Sequence, residues 1–335
     1  LIHSVIYRTY YKNGVYDFSD AVKYVKDIVS EYDIAYYNQE TPTGDDSIAY
    51  SGYPMFYTPS AYVDAMRAVG FNTVSLASNH SLDKGEKGIL NTIKYFKTTD
   101  ILYSGMSDSE TDRNNFIIKE KNNITYTMLS YTTITNGLNV PAGKSYLLNK
   151  YDKEQVKKDI EAVRDKVDVL IVAMHWGVEY INMPNDEEKE IAEYLSSLGV
   201  DIVIGNHPHI LQPITKIGDT IVMYSLGNFI SNQYGGSNGD WNKLIGFMAT
   251  LDITKTVSKD NEVNMTFDNL GGELIFTKYK GNPVTTAVHS GHTVIPFSKM
   301  TDDSYLKDYE RLYNKYTGVL KSLGQDLNIA PIGSR

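Results

Sequence analysis

Apolar side chains recur along the chain with two periods, and the switching between them predicts helices alternating with strands. From Ser19, a good N-cap, the spacing of Val22, Val25, Ile28, Val29 and Tyr32 predicts a helix, and residues 34–37 predict a strand behind it. Thr58 as N-cap and Pro59 at the first helical position predict a second helix through Tyr62, Met66 and Val69 that stops at Gly70, with a strand over 73–77. Residues 85–96 read as helix, with Ile89, Leu90, Ile93 and Phe96 on one face, and 101–103 as strand. Asp152 with Gln155, and Asn185 with Glu188, form capping-box patterns ahead of two more apolar stripes. Around them 169–174, 201–204 and 220–225 read as strands, the first buried on both faces. From about Gly246 the pattern becomes strands at 247–253 and 273–279, closed by one helix over 304–320. The expected organisation is α/β with a β-rich second half: one domain over 1–290 and a C-terminal helical extension over 291–335 packed on it.

Composition narrows the chemistry. With 32 Lys+Arg against 41 Asp+Glu, the net charge of −9 argues against a basic nucleic-acid binder, and no nucleic-acid partner is expected. There is no cysteine, so disulfides and thiolate ligands are excluded and any metal must rest on His, Asp, Glu or Asn. The run 169–174 is far short of the roughly 20 apolar residues that span a bilayer. The chain opens at Leu1 with neither a basic n-region nor an apolar h-region. The chain reads as a trimmed or processed fragment, with a removed anchor or signal peptide left open.

Five polar clusters each follow an apolar strand: Asn38-Gln39-Glu40, Ser78-Asn79-His80, His175-Trp176-Gly177, Gly205-Asn206-His207-Pro208-His209 and Ser225-Leu226-Gly227-Asn228. In open α/β sheets ligands gather at the carboxyl ends of strands, so these clusters are expected to meet at one edge. Four of the seven histidines lie in them, the others being His3, His289 and His292. Imidazole, carboxylate and amide donors together suit Zn, Mn or Fe better than Ca or Mg. Glu40 is a candidate bridge between two ions, Asn79 a neutral ligand to one, and His207 with His209, at i and i+2 of an expected extended segment, point to one side. Because adjacent side chains diverge, His80 is expected to face substrate as a general acid while an activated water attacks. Plainer roles are expected elsewhere: Asp83 as a helix cap, Trp176 and the tyrosines on helix stripes as packing, and Asn38 and Asn228, taken alone, as turn formers.

The stretches YDFSDAVKYVKDIVSEYDIAYYNQETP, VSLASNHSLDKGEKGI, SYTTITNG, AMHWGVEY, LGVDIVIGNHPHILQPI and MYSLGNFI, in this order across 16–230, resemble the bacterial poly-γ-glutamate capsule synthesis proteins (CapA-like, PGA_cap), a branch of the calcineurin-like metallophosphoesterases. The resemblance implies a four-layer αββα sandwich with two divalent metal ions at one end. Glu40 matches the bridging carboxylate; Asn79, His175 and His207 match ligands of one ion, His209 of the other, and His80 the substrate-facing imidazole. Asn38 and Asn228 match residues that orient the ligands or touch substrate. One departure stands out: the family's Gly-Asp falls just ahead of Leu1, so its aspartate ligand is not in this sequence, and His3 is a candidate ligand that would substitute only in part. The implied role is a metal-dependent, phosphoesterase-like protein in synthesis, export or anchoring of a poly-γ-glutamate polymer, acting on that polymer or a phosphate-containing substrate beside membrane-bound synthase components. Two alternatives stand beside it: a non-catalytic subunit that binds polymer or synthase, and a metal-dependent amide hydrolase that trims the polymer.

Overall fold

A computed structural model describes residues 1–233, 241–281 and 289–335. Three parallel strands, β1 (Tyr36–Asn38), β2 (Thr73–Ser75) and β3 (Leu102–Ser104), form a small sheet in that order. A larger sheet contains β4 (Lys119–Lys121), β5 (Ile124–Thr132), β6 (Val169–His175), β7 (Ile202–Asn206), β8 (Ile214–Ile217) and β9 (Thr220–Met223), in spatial order β8-β9-β7-β6-β5-β4. Its four central strands are parallel and its two edges antiparallel. A third, antiparallel sheet is built from β10 (Ile245–Val257), β11 (Val263–Lys280) and β12 (Ser290–Pro296).

Strand β6 shows why the layers stack as they do. Leu170, Val172 and Met174 pack against α6 (Lys153–Val163) and α7 (Asp186–Ser197) through Val156, Ile160, Ile191 and Leu195. The alternate residues Val169, Ile171 and Ala173 face the other way, into a core with Phe247, Leu274 and Phe276 of the third sheet and Leu312 and Tyr316 of α8 (Tyr309–Leu320). A strand apolar on both faces therefore demands cover on both, at about 1.5–3 kcal/mol for each large side chain buried. The small sheet is covered outside by α1 (Ser4–Thr9), α2 (Ser19–Val22), α3 (Lys26–Val29), α4 (Ala61–Val69) and α5 (Gly85–Phe96), with Val22, Met66, Ile89 and Ile93 around Val74 and Leu76. Helices, sheet, sheets, helices is the expected αββα order. The chain's end is tied in by Arg335, whose Nε lies 2.7 Å from buried Glu273 and whose Nη1 donates to Glu31 at 2.9 Å.

Several elements differ locally from the pattern. The helix expected over 19–32 is split into α2 and α3, because Val25 N–H bonds to Val22 O in an i→i+3 step that keeps Ala21, Val22, Val25 and Ile28 all facing the core. Thr58 and Pro59 do not open a helix: they pair with Thr43–Gly44, Thr58 N–H donates to Pro42 O at 3.0 Å, and α4 starts at Ala61. The last helix begins at Tyr309 rather than at 304, after Asp308 in the left-handed region (φ 56°). The Asn185–Glu188 capping box forms as expected.

Two outcomes test this packing. A Cβ on Gly205 of β7 would sit 1.9 Å from Tyr224 O and 2.5 Å from the Trp176 indole nitrogen, so Gly205→Ala is expected to cost about 1–3 kcal/mol in urea unfolding. His292 is fully buried, bonded through Nε2 to Asn232 Oδ1 at 2.8 Å, and burial, then the nearby His289, pushes its pKa down to about 3. Its unfolded value is about 6.5, so its contribution to stability is complete above pH 6.5 and is lost as pH falls toward 3. The urea midpoint should drop between pH 7 and pH 5, and drop less in His292→Gln.

Candidate active site at the carboxyl ends of the parallel strands

Strands β1 and β2 of one sheet and β6, β7 and β9 of the next end at a shared edge, and their following loops meet there. Gln39 N–H bonds to Ser75 O (3.0 Å) and Ser78 Oγ–H to Glu40 O (2.6 Å), which seats the Glu40 loop on the loop after β2. Thr133 N–H holds His175 O (3.0 Å), and Trp176 N–H holds Asn206 O (3.1 Å), locking the loops after β6 and β7 together. The indole of Trp176, fully buried, donates to Tyr224 O at 3.0 Å. Trp176 is packing, as expected, and it is packing that spaces the site.

The side chains then converge. His209 Nε2 lies 3.6 Å from Glu40 Oε1, and His175 Nε2 lies 3.0 Å from Asn79 Oδ1, which accepts its proton. The rings of His175 and His207 are 4.8 Å apart, and those of His207 and His209 6.0 Å. Asn228 Oδ1 accepts from His209 Nδ1–H at 3.1 Å. Glu40, Asn79, His80, His175, His207, His209 and Asn228 are all buried, none more than 8% exposed.

Asn38 and His3 border the cluster and are engaged in other contacts: Asn38 lines the same cavity as Glu40, His207 and His209, and His3 packs on Phe56, which in turn packs on His80. Asn38 Oδ1 accepts from Ser75 Oγ (2.7 Å), which meets the Tyr36 hydroxyl (2.8 Å), itself bonded by Asn206 Nδ2 (2.9 Å); this chain ties the two sheets together. His3 packs edge-on against Phe56, and its Nδ1 accepts Asn232 N–H at 3.3 Å. His207 and His209 do converge, but not through extended backbone. Both sit at positive φ (100° and 60°), conformations costing about 1–3 kcal/mol each that cluster at functional sites.

Asp83 does not cap α5. Its Oδ2 accepts from His80 Nδ1 at 2.8 Å and from Phe56 N–H at 2.6 Å, fixing the ring and leaving Nε2 to face a ligand. The i, i+3 spacing of His80 and Asp83 was the available signal. Glu179, two residues beyond Gly177, was also missed; its Oε1 is 3.7 Å from His209 Nε2.

Burial opposes the charge on Glu40, yet the neighbouring histidines, His209 foremost and then His175 and His80, hold its carboxyl well below the usual carboxylate range. Burial, then His207, pushes the His175 imidazole well down, and burial also lowers His207. An ionised Glu40 beside two imidazoles, His175 and His207, that burial biases toward the neutral form is a protonation pattern suited to metal ligation. Glu40 Oε1, His175 Nδ1 and His207 Nδ1 are buried without hydrogen-bond partners, which suits cation ligation in kind. It does not yet fit in number: among the described residues no three or more His, Cys, Asp or Glu side chains are assembled as a chelate. Beside them runs a cavity of about 650 Å³, lined by Glu40, His207 and His209 at one end and by consecutive residues 34–41 and 247–254 along its sides. Consecutive lining residues mark it as bounded by the edges of β1 and β10.

The family model described as "Bacterial capsule synthesis protein PGA_cap" matches residues 1–233. The chain belongs to the PGA_cap family. All the strand-end residues of this PGA_cap chain fall inside the matched region, whereas His289 and His292 fall outside it. It is 32% identical over 175 residues to the "Capsule biosynthesis protein CapA" of Bacillus anthracis, covering 51% of this chain and 43% of that protein. It is 31% identical over 179 residues to the "PGA biosynthesis protein CapA" of Bacillus subtilis (strain 168), covering 51% and 45%. The chain thus spans less than half the length of either Bacillus protein. Among solved structures it is similar to a hypothetical protein from Thermus thermophilus (TM-score 0.44, 14% identity, 82% of this chain and 92% of that one). It is also similar to the Haemophilus influenzae NAD nucleotidase (TM-score 0.37, 14% identity, 80% and 48%).

Asp83→Ala would leave Phe56 N–H and His80 Nδ1–H buried and unpaired, at about 1–3 kcal/mol for each group. We expect a thermal midpoint several degrees lower than wild type, recovered in part by Asp83→Asn, which keeps an acceptor.

Proposed function

We propose that this protein acts in the synthesis, export or anchoring of a poly-γ-glutamate capsule polymer outside the cytoplasmic membrane, through a two-metal, phosphoesterase-like centre. The supporting observation is the buried meeting of Glu40, Asn79, His175, His207 and His209 beside the His80–Asp83 pair. Glu40 would bridge two divalent ions (Mn, Fe or Zn), Asn79, His175 and His207 would hold one, and His209 the other. When bound, such ions supply Lewis-acid stabilisation of developing negative charge and make water more acidic. His80, oriented by Asp83, would donate a proton from Nε2 to the leaving oxygen.

The donor set would be completed from upstream. Leu1 N lies 3.8 Å from Glu40 Oε2, so residues joined ahead of Leu1 would enter beside Glu40, where the open edges of β1 and β10 leave room for an extended segment. An aspartate there would add the anionic ligand that the described residues lack. No helix of the described residues is long and apolar enough to cross a membrane.

The test is metal content by emission spectrometry together with hydrolysis of a generic phosphodiester, in the chain as given and in one extended upstream through the Gly-Asp. The extended protein should hold more metal and turn over substrate, and chelation should abolish turnover. His80→Ala should lower kcat by about 10²–10⁴-fold while leaving metal content unchanged. Bound metal with polymer retention but no turnover on phosphate esters would instead favour a non-catalytic subunit that binds polymer or the membrane-bound synthase. Shortening of the polymer on incubation would favour an amide hydrolase.

A further inference from the structure

At the mouth of the strand-end cluster the loop after β6 turns through Tyr180, a bulky residue in the left-handed region (φ 66°), whose N–H bonds to Pro208 O at 2.9 Å. Bulky side chains adopt this conformation only when the surroundings hold them there. What holds Tyr180 is the site: its ring lies nearly parallel to that of His209 (27° between planes, centroids 6.0 Å apart). Lys243 Nζ sits 3.8 Å from the Tyr180 ring centroid. Among the described residues no carboxylate pairs with that ammonium; its recorded partner is the aromatic face.

Lys243 is positioned from below as well. Asn228 donates through Nδ2 to Lys243 O (2.9 Å) and to Gln233 Oε1 (2.9 Å), while its Oδ1 holds His209 Nδ1–H. Gln233 in turn donates to the Tyr180 hydroxyl at 3.2 Å. One amide therefore couples the lysine's segment, the tyrosine and His209. The nearby carboxylate, Glu179, lies 3.7 Å from His209 Nε2 and also accepts from the Tyr180 hydroxyl rather than pairing with Lys243. Around the mouth, Tyr53, Val178 and Ile181 are exposed at 81%, 53% and 50%, giving an apolar rim beside the cation.

An ammonium held on a ring face keeps its charge available to an incoming group, because the ring offers no negative charge that would have to be displaced. In a protein of net charge −9 this sets one positive charge at the mouth of the candidate centre, beside the carboxylates of Glu40 and Glu179. We propose that Lys243, presented by Tyr180, is a subsite for an anionic group of the ligand, a carboxylate or a phosphoryl group adjacent to the position His80 and Glu40 address. This deepens the reading above and rests on it for the ligand's identity, but not for turnover.

The test is binding, with and without chelator, of labelled poly-γ-glutamate by fluorescence anisotropy at low and high salt, with inorganic phosphate as competitor and a neutral polymer as control. Lys243→Met, which keeps the apolar stem, should weaken poly-γ-glutamate binding about tenfold at low salt and flatten its salt dependence. Lys243→Arg should restore most of it, and the neutral polymer should bind neither protein. Phosphate that competes away the Lys243-dependent part assigns the subsite to a phosphoryl group; phosphate without effect assigns it to a carboxylate. Equal binding by wild type and Lys243→Met overturns the proposal, whether or not the protein proves to hydrolyse phosphate esters. So does a loss in Lys243→Met that Lys243→Arg fails to restore.

Discussion

Glu40 is the constraint on which the arrangement turns. A carboxylate taken out of water costs several kcal/mol unless opposing charge or donors surround it, and Glu40 is almost fully buried with Oε1 lacking a hydrogen-bond partner. Its compensation comes from segments far apart in sequence: His80 after β2, His175 at the end of β6, His209 after β7. Only parallel strands bring so many loops to one edge, since each crossover through a helix returns the chain to the same end of the sheet. The run of buried apolar residues in β6, the capped helices that cover it and the sheet order therefore serve one electrostatic requirement.

Much of this was legible in residues, and the reasons for the misses are physical. The strands and the αββα layering follow from short apolar runs between amphipathic stripes, because such runs have one stable solution, cover on both faces. The strand-end polar clusters were legible because polar residues directly after a buried strand must be either capped or used. What could not be read was backbone detail set by distant partners. Thr58 looks like an N-cap locally, but its N–H is claimed by Pro42 O, sixteen residues away. That Asn38 bonds to Ser75 and, through it, joins the bridge between the two sheets could not be read either. His207 and His209 were expected to share a side through an extended chain; they meet instead through two left-handed residues around Pro208, a geometry that alternation arguments do not describe.

The strain is tolerated because the supporting contacts are dense and specific. Gly205 lets Tyr224 O and the Trp176 indole approach β7 closely enough to leave no space for a Cβ, and Trp176 is clamped by its own hydrogen bonds on both ends of the residue. These contacts fix the loops after β6, β7 and β9 relative to one another, so His175, His207 and His209 are held by the packing beneath them rather than by each other. An arrangement held from below can tolerate unpartnered polar atoms at its top, which is what a ligand site requires.

The proposed ligand is acidic and so is the protein, and at long range like charges repel. The range of the interaction resolves this. At physiological ionic strength charges more than roughly 8 Å apart are largely screened, so a ligand at the mouth responds to its neighbours and not to the sum over the surface. Those neighbours are a half-buried lysine on a tyrosine face, buried imidazoles and, with ions in place, two divalent cations against the carboxylates of Glu40 and Glu179. On the proposed reading the sign of the site would depend on cation loading: bound divalent ions would outweigh Glu40 and Glu179, whereas without them Lys243 and the neighbouring histidines are what oppose the two carboxylates. If the proposed centre binds cations and an acidic polymer, cation loading and polymer affinity would be coupled through that balance, because the carboxylates that would draw the cations in are the ones that would repel the polymer.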